Sequence, residues 1–438
     1  MNIFKKDCAI LVTLLVVSSC FFYYVNSQIK PFNEWDTLKY STPDSTTYLN
    51  VGKWLLNYVN FDDVKSSIAI RPFFYPLIVA SLDLIHPWAI LIFQFILWQM
   101  QILMIYISCA KVSNSKVLAF FISLTSISII SPIGIALHAL TETISSFFIT
   151  SFVFMLTLNL YKKSYLNIFI CLLSLSFCSV VRPSTLSLYL FSTIVIMLNL
   201  KNRKLFHVFL LAITIIPILT QVHTMKKYFD TYKISFIDTY AVNDYFLSGV
   251  ELYKRNLEND INKYQYIYAI RDARRRYITE MIAKEGYKKT SENVRKDFFA
   301  DLNKYPIEFF MQFKDLIIEN SIQPSSFFAV DNKDVNKLLH ITTLSQSKLL
   351  LTINIISILF FLLIIILTRI IKNNFIPNGH IMYSLLIFFV IYFTYLSTGV
   401  TFWQGDRFLI PIYYISIISF VYQTKILFQT MSMHEEVV

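Results

Sequence analysis

Ten stretches of the chain are apolar over about the length a helix needs to cross a bilayer: approximately residues 8–25, 88–109, 117–133, 140–160, 165–181, 184–200, 205–224, 348–368, 381–397 and 407–425. Some 20 residues at 1.5 Å each span the roughly 30 Å of hydrocarbon. In lipid every backbone N–H and C=O must be satisfied within the protein, which leaves helices and closed barrels as spanning structures. Runs of this length without strict alternation predict helices. The expected fold is therefore all-α: a polytopic membrane protein with about ten transmembrane helices. A mean hydropathy of +0.54 and only 15% charged residues agree with it. The first run, behind Lys5-Lys6, contains Val17-Ser18-Ser19-Cys20, which looks like a lipoprotein cleavage site. Its apolar aromatic character continues through Phe21, Phe22, Tyr23 and Tyr24, so it reads as a retained first helix.

The net charge of +11 would fit a nucleic-acid partner if it were gathered on one polar domain, but it is not. The long polar stretch 225–345 holds 19 Lys+Arg against 17 Asp+Glu, leaving 20 against 11 elsewhere. The excess collects in short breaks between apolar runs: Lys5-Lys6, Lys111 with Lys116, Lys162-Lys163, Lys201 to Lys204, and Arg369 with Lys372. That is the signature of cytoplasmic loops, and one orientation, with both termini inside, puts all of these breaks on that side. The five cysteines lie in or beside apolar runs, so no disulfide framework or zinc spacing is implied.

The segment 73–86 is too short for a span, carries Pro76 and Asp83, and reads as a juxtamembrane helix. Three parts follow: an N-terminal transmembrane module 1–224 with a first outer loop 26–87, a mostly helical outer cap 225–345, and a C-terminal transmembrane module 346–438 ending in a short cytoplasmic tail. Within the cap, 268–287 favours helix, with breaks expected at Tyr305-Pro306 and Gln323-Pro324.

Charged residues at a membrane surface are costly, and this topology sorts them by side. Glu34, Asp36 and Asp44 follow the first span; Arg71 opens the juxtamembrane helix; His138 and Glu142 sit between the third and fourth spans; Arg182 ends the fifth; Asp406-Arg407 opens the tenth. All fall on the outer side. Each has a plainer reading. Arg182 could snorkel from a helix end, Asp406 could pair with Arg407 at the surface, and Glu142 could answer a helix dipole. Asp44 could be an N-cap, and His138 with Glu142 could be a structural His or half of a metal pair. Their convergence on one side describes a site for an anionic ligand. Arginine forks match phosphate oxygens, so Arg71, Arg182 and Arg407 are candidate phosphate ligands. A nearby carboxylate could act as a base toward a hydroxyl or hold a divalent cation.

At these residues the chain resembles the polytopic glycosyltransferases of the C superfamily (GT-C). The resemblance runs through Asp44-Ser45-Thr46-Thr47-Tyr48, Arg71-Pro72-Phe73-Phe74-Tyr75-Pro76, Thr141-Glu142-Thr143, Arg182-Pro183-Ser184 and the segment Gly405 to Pro411, and does not cover 225–345. It implies Asp44 and Glu142 as catalytic carboxylates and Arg71, Arg182 and Arg407 as ligands of a donor phosphate. Asp36, Tyr48, Tyr75 and His138 would be further substrate contacts. It further implies a polyprenyl-phosphate-linked sugar as donor and a glycan as acceptor. The chain is most similar in layout to bacterial transferases that move a hexose such as glucose from undecaprenyl phosphate to O-antigen, in lipopolysaccharide biosynthesis, at the periplasmic face of the inner membrane. Two departures stand out. Asp44 is followed by Ser45 where many members have a second acid, which leaves a divalent cation open, and Glu142 stands where Asp is common. The alternatives are an O-antigen polymerase or ligase, with a similar span count and a large outer loop, and a lipid-linked oligosaccharide flippase or transporter. The second fits poorly with seven glycines and no repeated halves.

Overall fold

The computed structural model describes residues 2–28, 42–86, 88–199, 204–323, 333–370, 378–401 and 405–437. Among them every element is a helix, and no strand occurs. Asp36 and Glu34 lie outside the described residues.

Six helices are long and apolar enough to cross a membrane: α1 (Asn2–Gln28), α5 (Ala89–Ser113), α8 (Thr141–Tyr161), α17 (Lys333–Ile370), α18 (Asn378–Ser397) and α19 (Ile410–Val437). Their depth in the bundle differs. The apolar window of α19 is 67% buried and that of α8 61%, against 22% for α1 and for α17. Helices α8 and α19 therefore form the centre, while α1 and α17 present most of their surface outward as lipid-facing helices do. Two bent pairs among the described residues pass the same test only when taken together, as a broken span or a re-entrant loop: α6 (Lys116–Ile127) with α7 (Ile130–Ala136) at 56°, and α11 (Lys204–Thr214) with α12 (Ile216–Phe229) at 49°. The runs 117–133 and 205–224, expected as unbroken spans, are thus broken. Pro217 in the first turn of α12 lacks an N–H to continue α11. Helices α9 (Tyr165–Val181) and α10 (Leu186–Asn199) are apolar but shorter than the spans above.

A helix break inside an apolar bundle frees backbone groups that must find other partners. Glutamines supply them. At the α6–α7 bend, Gln346 from α17 accepts from the Ile130 N–H (3.0 Å) and donates to the Ser128 carbonyl (2.9 Å). Gln94 on α5 donates to the carbonyls of Ala136 (3.1 Å) and His138 (2.7 Å), fixing the turn that enters α8. Gln221 on α12 accepts from the Phe73 N–H (3.0 Å) and donates to the Ile234 carbonyl (2.7 Å).

Between α1 and α5 lie three short helices: α2 (Pro43–Leu55), α3 (Phe61–Ile70) and α4 (Phe74–Ile85). At 12 residues α4 reaches about 18 Å, too short to cross. Its buried face, Tyr75, Pro76, Val79 and Ala80, lies against α2 and α5. Helices α2 and α3 pack through Val51, Val64, Ile68 and Ala69 onto Met225 and Phe229 of α12 and onto Phe236. After α12 the polar region forms α13 (Ile237–Tyr240), a π-helix over Ala241–Phe246, α14 (Leu247–Lys254), α15 (Lys263–Lys304) and α16 (Pro306–Ile322). It has its own apolar cluster of Phe246, Leu247, Val250, Ile267, Phe309 and Leu316. Helix α15 is kinked at Gly286, whose φ of +77° is a region that favours glycine. Pro306 ends α15 and begins α16 at the expected place. Because α17 starts at Lys333, the boundary expected at 345–346 falls inside a continuous helix.

One glycine fixes how closely α2 meets α4. A Cβ built on Gly52 would stand 2.1 Å from the Pro76 carbonyl oxygen and 2.5 Å from the Ala80 Cβ. Gly52→Ala is therefore expected to force the two helices apart and lower stability by about 1–3 kcal/mol. Thermal unfolding of the detergent-purified protein checks this, and an unchanged melting temperature contradicts it.

Candidate functional site

The start of α2 answers whether Asp44 is a helix cap. The capping residue is Thr42: its N–H donates to Ser45 Oγ (2.9 Å), and the two hydroxyls lie 3.0 Å apart. With the cap made by Thr42 and Ser45, and Pro43 in the first turn, the Asp44 carboxylate points elsewhere. Residues 44, 47 and 48 share one face of α2, and all three meet the guanidinium of Arg71. Arg71 donates from Nη2 to Asp44 Oδ1, from Nε to Thr47 Oγ1 and from Nη1 to Tyr48 Oη, each at 2.9 Å. Its backbone is extended (φ −104°, ψ 113°), as the residue before a proline favours, which turns α3 into α4 and aims the side chain at α2.

The other oxygen of Asp44 takes a second arginine. Arg407, in the 3₁₀ turn Gly405–Leu409 that leads into α19, donates from Nη2 to Asp44 Oδ2 (3.2 Å) and from Nε to Glu142 Oε1. Glu142 is in the first turn of α8 and its side chain is 1% exposed; that of Arg407 is 7% exposed. The result is a chain of alternating charge, Arg71–Asp44–Arg407–Glu142, drawn from four segments spread over 363 residues of sequence. Arg182, between α9 and the turn Pro183–Thr185, completes the group: its guanidinium carbon sits 4.5 Å from the Phe408 ring centre, and its buried Nη1 has no hydrogen-bond partner among the described residues. Glu142 Oε2 is also without a partner among them.

Asp406 and Arg407, adjacent in sequence, do not form the surface pair that was one reading of them. The 3₁₀ turn sends them apart. Asp406 is fully buried and accepts from Tyr413 Oη (2.7 Å), Ser131 Oγ and Ser347 Oγ (3.4 Å). This anchors the turn to α7, α17 and α19 and so sets where Arg407 points. Ser131, Ser347, Tyr413 and Thr47 were not singled out by the sequence. The first three are uncharged, two of them (Ser131 and Tyr413) inside apolar runs and Ser347 just before one, and they gain meaning only from the carboxylate they surround.

Tyr48 and Tyr75 are brought together, their rings edge to face at 5.0 Å, with Tyr75 Oη 3.5 Å from Gln94 Oε1. His138 is fully buried in the turn before α8 rather than on that helix, so it does not share a helical turn with Glu142, whose partner is Arg407. No group of three His, Cys, Asp or Glu able to hold a metal occurs among the described residues. The two carboxylates of the site already face three arginines, an environment that repels a divalent cation, so the donor set does not fit one.

These residues line one end of a cavity of about 870 Å³. Asp44 lies at its wall with 41% of its side chain exposed. Burial raises the Asp44 pKa, but Arg71 and Arg407 outweigh it and hold the carboxyl below its ordinary value. Three arginines against two carboxylates leave this end positive, with Arg182 offering an unused donor: an arrangement able to take an anion with tetrahedral oxygens.

Removing one member of a buried charge chain strands its neighbour. Arg407→Leu leaves Glu142 buried without its counter-charge and is expected to cost about 3–5 kcal/mol, most of which Arg407→Leu with Glu142→Leu recovers. Melting temperatures of the two singles and the double form the cycle; strictly additive losses contradict the pairing. No protein-family model, curated protein or solved structure matches the chain.

Proposed function

We propose that the protein is a glycosyltransferase that moves a sugar, a hexose such as glucose, from a polyprenyl-phosphate carrier to a glycan acceptor. The observation that carries this reading is the meeting of Asp44, Glu142 and three arginines at one end of a single cavity that is also lined by apolar residues of α9, α10 and α12. A phosphate with an apolar tail fits both features: arginine forks for the head, and the apolar lining of Val181, Leu186, Ile218 and Val222 for the first part of the tail. In this reading each bent pair crosses as one span and α9 and α10 also cross, making ten spans, 225–345 is an outer cap, and the site faces the periplasm across a bacterial inner membrane. O-antigen is the acceptor the layout favours.

In the reaction, the acceptor hydroxyl oxygen attacks the anomeric carbon. The bond from that carbon to the phosphate oxygen breaks, and its electron pair leaves with the polyprenyl phosphate. Arg71, Arg182 and Arg407 stabilise the charge that gathers there. Asp44 orients the hydroxyl and receives its proton. Direct displacement inverts the configuration at the anomeric carbon. Paired with two arginines, Asp44 is a weak base. A bound phosphate that draws Arg71 and Arg407 toward itself loosens both pairs and strengthens Asp44 as a base when the donor is in place.

The test is transfer from radiolabelled undecaprenyl-phosphate-glucose to a lipid-linked glycan by the purified protein. Transfer by the wild type that falls at least 100-fold in Asp44→Asn is expected. Equal transfer removes Asp44 from the chemistry, and transfer of an intact oligosaccharide from a lipid diphosphate instead favours a polymerase. A pH profile adds a second check. Because Arg71 and Arg407 lower the Asp44 pKa against the effect of burial, the carboxylate persists below the ordinary carboxylate range, and activity that needs it ionised is lost only as pH falls through that depressed value. Arg71→Gln leaves burial less opposed, so the acid limb of kcat/KM should move to higher pH. An unmoved limb contradicts the assignment.

A further inference from the structure

The cavity has a second polar end whose chemistry differs from the first. It is built by the segment after α12 and by α15: Lys233, Asp238, Tyr240, Asp244, Tyr245 and Arg275 line it. Here charge is balanced, with two cations matched by two carboxylates in pairs, Lys233 Nζ with Asp238 Oδ2 at 2.9 Å and Arg275 Nε with Asp244 Oδ2 at 2.8 Å. The Asp244 side chain is 1% exposed, and its other oxygen accepts from Asn243 Nδ2 (3.0 Å), which also donates to the Arg274 carbonyl (3.0 Å). The carboxylate is thereby fixed, while Arg275, half exposed, lines the cavity beside it and also interacts with Tyr245.

Asp244 and Tyr245 lie in the π-helix Ala241–Phe246. Such wide turns are rare and recur at functional sites, because the extra residue redirects side chains that an α-helix would send elsewhere. The π-helix carries a buried acid and a tyrosine that line the cavity together with Arg275 and Thr279 of α15, with Arg275 bonded directly to Asp244.

We infer that this end is the acceptor subsite and binds a neutral, polyhydroxylated glycan through the Asp244–Arg275 pair and the faces of Tyr240 and Tyr245. The inference rests on the glycosyl-transfer reading of the arginine end. An anion gains nothing from a charge-neutral lining, and a lipid tail would be met by polar groups. Vicinal sugar hydroxyls, each both donor and acceptor, match a fixed carboxylate beside a guanidinium, and the apolar face of a pyranose matches a tyrosine ring. One cavity joining the two ends lets a hydroxyl of the bound glycan reach the arginine end, where Asp44 stands.

The probe is polysaccharide released by mild acid from the surface glycolipid of the source cells, end-labelled with a fluorophore. Its binding to the full-length protein in nanodiscs is measured by anisotropy. Wild type, Asp244→Asn and Thr279→Trp are compared; Thr279 is exposed on α15 and lines the cavity, so a tryptophan there fills the subsite without stranding a buried partner. The expected result is saturable binding by the wild type, weakened at least tenfold in both variants. If Asp244→Asn unfolds, Thr279→Trp alone decides. Absence of saturable binding by the wild type, or binding by Thr279→Trp equal to wild type, overturns the inference. Donor turnover in the same samples reports separately on the arginine end: its absence with glycan binding intact sinks the transferase reading and leaves a glycan-binding subsite standing.

Discussion

Asp44 stands between two arginines, and much of the site's geometry depends on that placement. Its two oxygens tie the first short helix to the turn before α4 on one side and to the start of the last helix on the other. Through Arg407 the link continues to Glu142 at the head of α8, one of the two central helices of the bundle. A chain of buried opposite charges is weak evidence of stability by itself, since desolvation offsets most of its attraction.

Keeping such a chain in an apolar bundle needs rigid supports. Asp406, held by Tyr413, Ser131 and Ser347, fixes the turn carrying Arg407, while Gln94, Gln221 and Gln346 satisfy the backbone groups exposed by the breaks near the site. The two ends of the cavity then divide their chemistry by charge balance: a positive end beside the membrane helices and a neutral, tyrosine-bearing end beside the polar helices. That division suits a reaction joining an anionic lipid-linked donor to a neutral polyol.

The helical class and most of the site were legible in the sequence for one reason. A charged residue in an apolar stretch is expensive, so Asp44, Arg71, Glu142, Arg182 and Arg407 stood out one by one and meet in space. Who pairs with whom was not legible. Asp406 and Arg407 are neighbours in sequence, yet a tight turn separates their side chains, and His138 is four residues from Glu142 but precedes its helix. The bends at residues 128–129 and 215 escaped a reading by hydropathy because the sequence stays apolar through both. What permits the first is Gln346, more than 200 positions away. The second polar end was hidden for the opposite reason: in a charged, helix-favouring stretch, Asp244 and Arg275 look like ordinary surface residues, and only the π-helix sets them apart.

The central claim is that the arginine end binds the phosphate of a lipid-linked donor. Phosphorus NMR of a short-chain prenyl phosphate titrated with the detergent-purified protein tests it most directly. The account predicts a saturable change in shift or linewidth that is lost in Arg182→Ala, the variant that removes the unused guanidinium donor. A signal that does not saturate, or one unchanged in that variant, contradicts it.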